Sequence, residues 1–137
     1  MIRAVIDTNV LVSAMISSAG NEALVVMAIN QKLVRPCFSP EILKEYSEVL
    51  LRPKFAFPAD EVEAMLGLLG RCGHRLKPVS VSRVSTDPGD DKFIACALSA
   101  KADFLVTGNK RHFSQSKLAD TKVVNAGELL EVIALEL

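Results

Sequence analysis

Short runs that favour strands alternate with longer runs that favour helices from one end of this chain to the other, and that order leaves few folds open. Ile2 to Ile6 is a brief apolar run with β-branched members, read as a buried first strand. It stops at Asp7-Thr8-Asn9, all capping or turn residues, and Val10 to Ile16 follows as a first helix. Another helical stretch runs from about Glu22 to Asn30 and Gln31. Val34 to Phe38 is a second strand. Ser39-Pro40-Glu41 then starts a helix that reaches about Leu51, with Ile42, Leu43, Tyr46, Val49 and Leu50 at helical spacing. A second helix start stands at Phe57-Pro58-Ala59-Asp60, and Val62 to Leu69 carries a helix that ends near Gly70 or Gly73. Leu76 to Val81 is expected to hold a third strand with Pro78 at its edge, and Ser85 to Asp91 a polar loop. An apolar helix spans Asp91 to Ala100, Phe104 to Val106 is a strand buried on both faces, Val123-Val124 a last strand, and Ala126 to Leu135 a final helix. Such alternation calls for a parallel sheet covered by helices, an α/β architecture, here as one domain over residues 1–137 without linker or repeat.

The 137 residues can bury a core without staples, and 50% hydrophobic with 23% charged residues excludes whole-chain disorder. Lys plus Arg and Asp plus Glu balance at 16 each, so contact with nucleic acid must rest on local basic patches. Cys37, Cys72 and Cys96 fit no zinc or redox spacing and read as small buried hydrophobes. An odd cysteine count with no signal peptide points to a reducing cytoplasm, and no apolar stretch approaches a membrane span.

In parallel α/β sheets, sites form beyond the carboxyl ends of strands. Two strands end there in polar triplets, Asp7-Thr8-Asn9 and Thr107-Gly108-Asn109, and Asp87-Pro88-Gly89-Asp90-Asp91 opens a buried helix that leads into the second of them. Gathered carboxylates repel one another, and a fold that collects them usually binds a cation. All-oxygen ligands favour Mg²⁺ or Mn²⁺, ions that assist in-line attack on a phosphodiester. Each acid also has a plainer role. Asp7 could cap the first helix, and Glu45, in the series Glu41, Glu45, Glu48, could face solvent. Asp87, Asp90 and Asp91 suit a helix N-terminus through its dipole alone.

Four segments together resemble the PIN-domain family. Val5-Ile6-Asp7-Thr8-Asn9-Val10-Leu11 resembles its opening motif, and Ile42 to Leu50 around Glu45 its second acidic motif. Asp87 to Phe93 resembles the third and Phe104 to Lys110 the fourth. The resemblance runs from Ile2 to about Asn125 and is nearest to the branch of toxins from toxin–antitoxin pairs. It implies a three-layer α/β/α sandwich with a central parallel sheet, and an Mg²⁺- or Mn²⁺-dependent endoribonuclease. On this chain it implies Asp7, Glu45 and Asp90 as catalytic acids and metal ligands, with Asp91 an alternative to Asp90. Asn9, Thr107 and Asn109 would orient ligands or water. It further implies a homodimer and an antitoxin partner whose segment enters the acidic groove.

The chain departs from the family pattern at two positions. Asn109 stands where many relatives have a fourth acid, which lowers the expected metal affinity, and Lys101 stands at a turn that often has Gly. Lys110-Arg111-His112 borders the site and is the candidate phosphate contact, with His112 also a candidate acid or base; a solvated loop is the plainer reading. With one Tyr and no Trp, stacking platforms for bases look scarce. Two rival readings follow from the same residues. One is a haloacid-dehalogenase-like phosphotransferase, which would want an acid where Asn9 stands. The other is a PIN-fold module with a degraded site that binds RNA or a protein partner.

Overall fold

Strand β1 (Ile2–Ile6) forms the middle of the sheet, and Ala4, Val5 and Ile6 are consecutive and almost wholly inaccessible to solvent. Three buried residues in a row mean that both faces of the pleat are covered. The chain is described by a computed structural model over residues 1–77, 88–113 and 118–136. Within them lie α1 (Thr8–Ile16), α2 (Asn21–Asn30), β2 (Val34–Phe38), α3 (Pro40–Leu50), α4 (Ala59–Cys72), β3 (His74–Arg75), α5 (Asp91–Ala100), β4 (Phe104–Val106), β5 (Lys122–Val124) and α6 (Ala126–Glu136). The five strands are all parallel, in the order β3-β2-β1-β4-β5, with six helices flanking them, the PIN-like α/β/α arrangement.

Local sequence explains where the elements start and stop. Ser39 caps α3 by accepting a hydrogen bond from the Ile42 amide at 3.2 Å, and Pro40 fills the first helical position, where no N–H is needed. Ile42, Tyr46 and Leu50, four residues apart, form the buried stripe of that helix. α5 is apolar and small-residue-rich, so it lies close against the sheet with Phe93 through Ala97 all buried. Burial pushes the Cys96 thiol up to about 12 and raises that of Cys37, so these two behave as inert core groups, in keeping with the expectation from sequence.

One expectation needs correction. The third strand is His74–Arg75 rather than a run starting at Leu76; Pro78 and the rest of the proposed strand lie outside the described residues, as does Asp87. His74 pairs with Cys37 in that strand. Helix α4 starts at Ala59, within the Phe57-Pro58-Ala59-Asp60 start, and runs to Cys72, just before Gly73, as expected. Its end is set by close approach: a Cβ on Gly73 would lie 2.5 Å from the Leu69 carbonyl oxygen and 2.7 Å from that of Pro36. Among the described residues, no single helix is long and apolar enough to cross a membrane.

Lys101, at the turn where the family resemblance leads one to expect Gly, does adopt the left-handed conformation, with φ 50° and ψ 49° just past α5. A side chain there costs roughly 1–2 kcal/mol, partly offset because Gly loses more freedom on folding. Lys101→Gly is therefore expected to stabilise the protein by about 0.5–1 kcal/mol, read as a higher urea midpoint at unchanged slope.

Candidate active site

The strand order reverses direction at β1. The chain builds β2 and β3 outward on one side of it, then crosses to lay β4 and β5 on the other. Loops leaving β1 and β4 therefore part from each other and leave a crevice at their carboxyl ends. Asp7 is the residue after β1 and Thr107 the residue after β4. The Asp7 amide donates to the Val106 carbonyl at 2.8 Å and the Thr107 amide to the Val124 carbonyl at 2.9 Å, so both are held by extensions of the sheet.

Asp7 is buried, and its carboxylate Oδ2 accepts a hydrogen bond from the Thr107 hydroxyl at 2.7 Å. It occupies the cap position of α1 but makes no side-chain cap hydrogen bond. Burial raises its pKa above the usual carboxylate range; the Thr107 hydrogen bond opposes the shift and the Glu45 charge adds to it. Asn9 accepts from the Gly108 amide at 3.1 Å, and the Asn109 amide donates to Thr107 Oγ1 at 3.0 Å. The two polar triplets are thus stitched together, with Asn9 and Thr107 bridging strands rather than standing free.

Asp90, at the N-terminus of α5, is buried with its carboxylate 3.5 Å from Nδ1 of His112. Asp91 is only half-buried in the first turn of the same helix. An open cleft of about 340 Å³ brings Asp7, Asn9, Asp90 and His112 together, with Val49 and Phe55 on its apolar side. Asp91 does not line it.

Glu45 has different company. Its Oε1 pairs with Lys92 Nζ at 2.8 Å, and its Oε2 accepts a hydrogen bond from the Thr8 hydroxyl. The neighbouring Tyr46, fully buried, donates its hydroxyl to the carbonyl of Ile6, the residue before Asp7. Lys110 is turned onto Glu128 of α6 at 2.9 Å; that carboxylate is also fixed by the Asn125 amide at 3.0 Å, and the Asn125 hydrogen bond and then Lys110 lower its pKa. Of the basic triplet, His112 is the member that lines the cleft, while Arg111 is exposed. Thr8, Lys92, Tyr46 and Phe55 were not singled out from sequence. Lys92 follows two flagged acids directly, and Phe55 lies in Arg-Pro-Lys-Phe, a helix-ending segment.

In kind, the donor set suits a hard divalent cation: two buried carboxylates face one cleft, and the first already carries the cost of burial beside a like charge. As the side chains stand, no group of three His, Cys, Asp or Glu among the described residues is placed to chelate an ion. At Glu45 the Lys92 ammonium supplies the counter-charge instead.

This architecture, with acids gathered where β1 and β4 part, is that of a PIN domain, and the family model for the PIN domain matches residues 3–111; the chain belongs to that family, a nuclease-type superfamily. It is also 31% identical over 112 residues to an uncharacterized protein of Methanocaldococcus jannaschii, an alignment covering 80% of this chain and 72% of that one.

Proposed function

We propose that the protein is an Mg²⁺- or Mn²⁺-dependent endoribonuclease. The observation that carries this reading is the meeting of buried Asp7 and Asp90 in one open cleft at the switch point of the sheet. A divalent cation held there by Asp7 and Asp90, with Glu45 as third acid, would neutralise phosphodiester charge and activate water for in-line attack. The protein's own groups do the rest. Thr107 fixes the orientation of the Asp7 carboxylate. Asn9 and the Gly108 amide lock the cleft floor. His112 borders the scissile position beside Asp90. Lys92 holds Glu45 through an ion pair at 2.8 Å and would compete with a cation for that carboxylate.

Cleavage of a mixed-sequence single-stranded RNA in Mn²⁺, with EDTA and Asp7→Asn protein as controls, tests the proposal. Cutting that survives either control would discard it. The competing module that binds without cutting is favoured by Asn109 and by the Lys92–Glu45 pair, and it predicts no cutting at all. A toxin role belongs to the same proposal: an antitoxin segment laid in the acidic cleft, and a homodimer of toxin chains. Co-expression with the protein encoded by the adjacent reading frame, followed by co-purification and loss of RNA cutting, checks it.

The ion pair gives a separate expectation. Lys92 and Glu45 are largely but not wholly buried, with side chains 20% and 27% exposed. Lys92→Met should cost the metal-free protein about 0.5–1 kcal/mol and tighten Mn²⁺ binding roughly fivefold, because the ion no longer competes with an internal ammonium. Calorimetric Mn²⁺ titration of both proteins reads the second effect, and weaker binding in Lys92→Met would show that Lys92 positions Glu45 rather than competes for it.

A further inference from the structure

The aromatic residues divide sharply. Phe38, Tyr46, Phe93 and Phe113 are buried, and Phe57 and Phe104 pack against the core. Phe55 alone, among the described residues, belongs to neither group, yet it is only half-exposed. One face of its ring is occupied by Phe57, with centroids 5.2 Å apart and planes 7° from parallel. Phe57 is itself seated on the core, so Phe55 is braced from behind by a rigid neighbour. The backbone is equally fixed: Pro53–Phe55 is a 3₁₀ turn closed by Phe55 N–H to the Arg52 carbonyl at 3.1 Å, with Ala56 in the left-handed region at φ 53°. This ring lines the cleft that holds Asp7 and Asp90. Lys54 Nζ lies over the ring, 5.1 Å from its centroid, a cation–π contact made by an exposed and flexible side chain, and Arg52 is exposed beside it.

We propose that Phe55 is a base-stacking platform, taking the nucleobase of an unpaired RNA nucleotide next to the scissile phosphate. The inference rests on the ribonuclease reading above. A pre-positioned ring at the rim of an acidic cleft places a π surface for a base within the same site as the acids that would serve the phosphodiester. A base arriving on the ring would displace the Lys54 ammonium from it, leaving Lys54 and the exposed Arg52 to meet the flanking phosphates, which the carboxylates would otherwise repel. Stacking is tolerant of base identity, so the site would select single strands over duplex rather than one sequence. One braced ring in the cleft suffices for this role even where composition makes stacking surfaces scarce.

The test uses short single-stranded RNA carrying 2-aminopurine, bound to Asp7→Asn protein so that binding is read without cutting. The expected result is quenching at one position of the oligomer, with Phe55→Ala in that background weakening binding roughly tenfold and removing the quench. Phe55→Trp should keep the affinity, and because the chain has no other Trp, its emission should fall when RNA binds. Unchanged affinity in Phe55→Ala, or Trp emission indifferent to RNA, overturns the inference; if Phe55→Ala does not fold, the Trp readout decides alone. The two readings fail separately. RNA that binds and quenches but is never cut by the wild-type protein in Mn²⁺ removes the nuclease and leaves the platform. Cutting with an unchanged KM in Phe55→Ala removes the platform and leaves the nuclease.

Discussion

Asp7→Asn is expected to abolish metal-dependent RNA cutting, by about 10³-fold or more, while making the metal-free protein more stable. The two effects have one cause. Asp7 is buried, and burial with the Glu45 charge raises its pKa. A carboxyl with a raised folded-state pKa contributes stability that is full below the unfolded value and is lost as pH rises through the folded one. At neutral pH the ionised group therefore opposes folding unless a cation answers it. Asn is close to isosteric, carries no charge and can still accept from Thr107, so it relieves that opposition. The gain should be about 1 kcal/mol, or roughly 4 °C in Tm for a chain of this size, measured in EDTA near pH 7. It should shrink as pH falls and the wild-type carboxyl takes up its proton. Adding Mn²⁺ should raise the Tm of the wild type and leave Asp7→Asn unmoved. A variant that is both inactive and less stable would instead mark Asp7 as a structural residue.

The parts of this arrangement that sequence revealed are those with local causes. β1 and β4 are short, mainly apolar runs that stop at polar turn residues, β2 is Val-Arg-Pro-Cys-Phe stopping at the Ser39-Pro40 helix start, and the ends of all three coincide with those read from sequence. α5 begins at Asp91 and ends at Ala100, as its composition indicates. β3 was misplaced because two residues carry no periodicity, and its position is set by Gly73 passing close to the Pro36 carbonyl. In the site, Asp7 was legible because a strand-end acid at a sheet switch point has a geometric reason to be there, and the cleft prefers Asp90 to Asp91 only once the helix is seen in place. What could not be read were pairings across the chain. Lys92 meets Glu45 from 47 positions away, Lys110 meets Glu128 from 18, and nothing in either segment alone announces the partner. Lys110-Arg111-His112 looked like one basic cluster, but the fold directs Lys110 to α6 and His112 into the cleft.

Tyr46→Ala is expected to be among the most destabilising single changes available, costing about 3–5 kcal/mol of a total that for most domains is roughly 5–15 kcal/mol. Tyr46 is the largest fully buried side chain among the described residues, and its ring fills the space where α3 meets the sheet. The hydroxyl is what makes the residue informative. It donates to the Ile6 carbonyl, one residue before Asp7, while the adjoining Glu45 is held by Thr8, one residue after Asp7. Helix α3 is thereby fastened on both sides of the first acid by two consecutive residues. Tyr46→Phe keeps the ring and removes only the hydroxyl, so its cost should be about 1–2 kcal/mol, readable as a lower urea midpoint. If the hydroxyl only satisfies a buried carbonyl, Tyr46→Phe should retain full cutting activity below its unfolding midpoint. If it sets the spacing between Glu45 and Asp7, activity should fall about tenfold or more in a protein that remains folded. The fall should appear in kcat, with the Mn²⁺ dependence moved to higher concentration. The second result is expected, because Asp7 and Glu45 sit on different elements and the Tyr46 and Thr8 hydrogen bonds tie those elements together beside both acids.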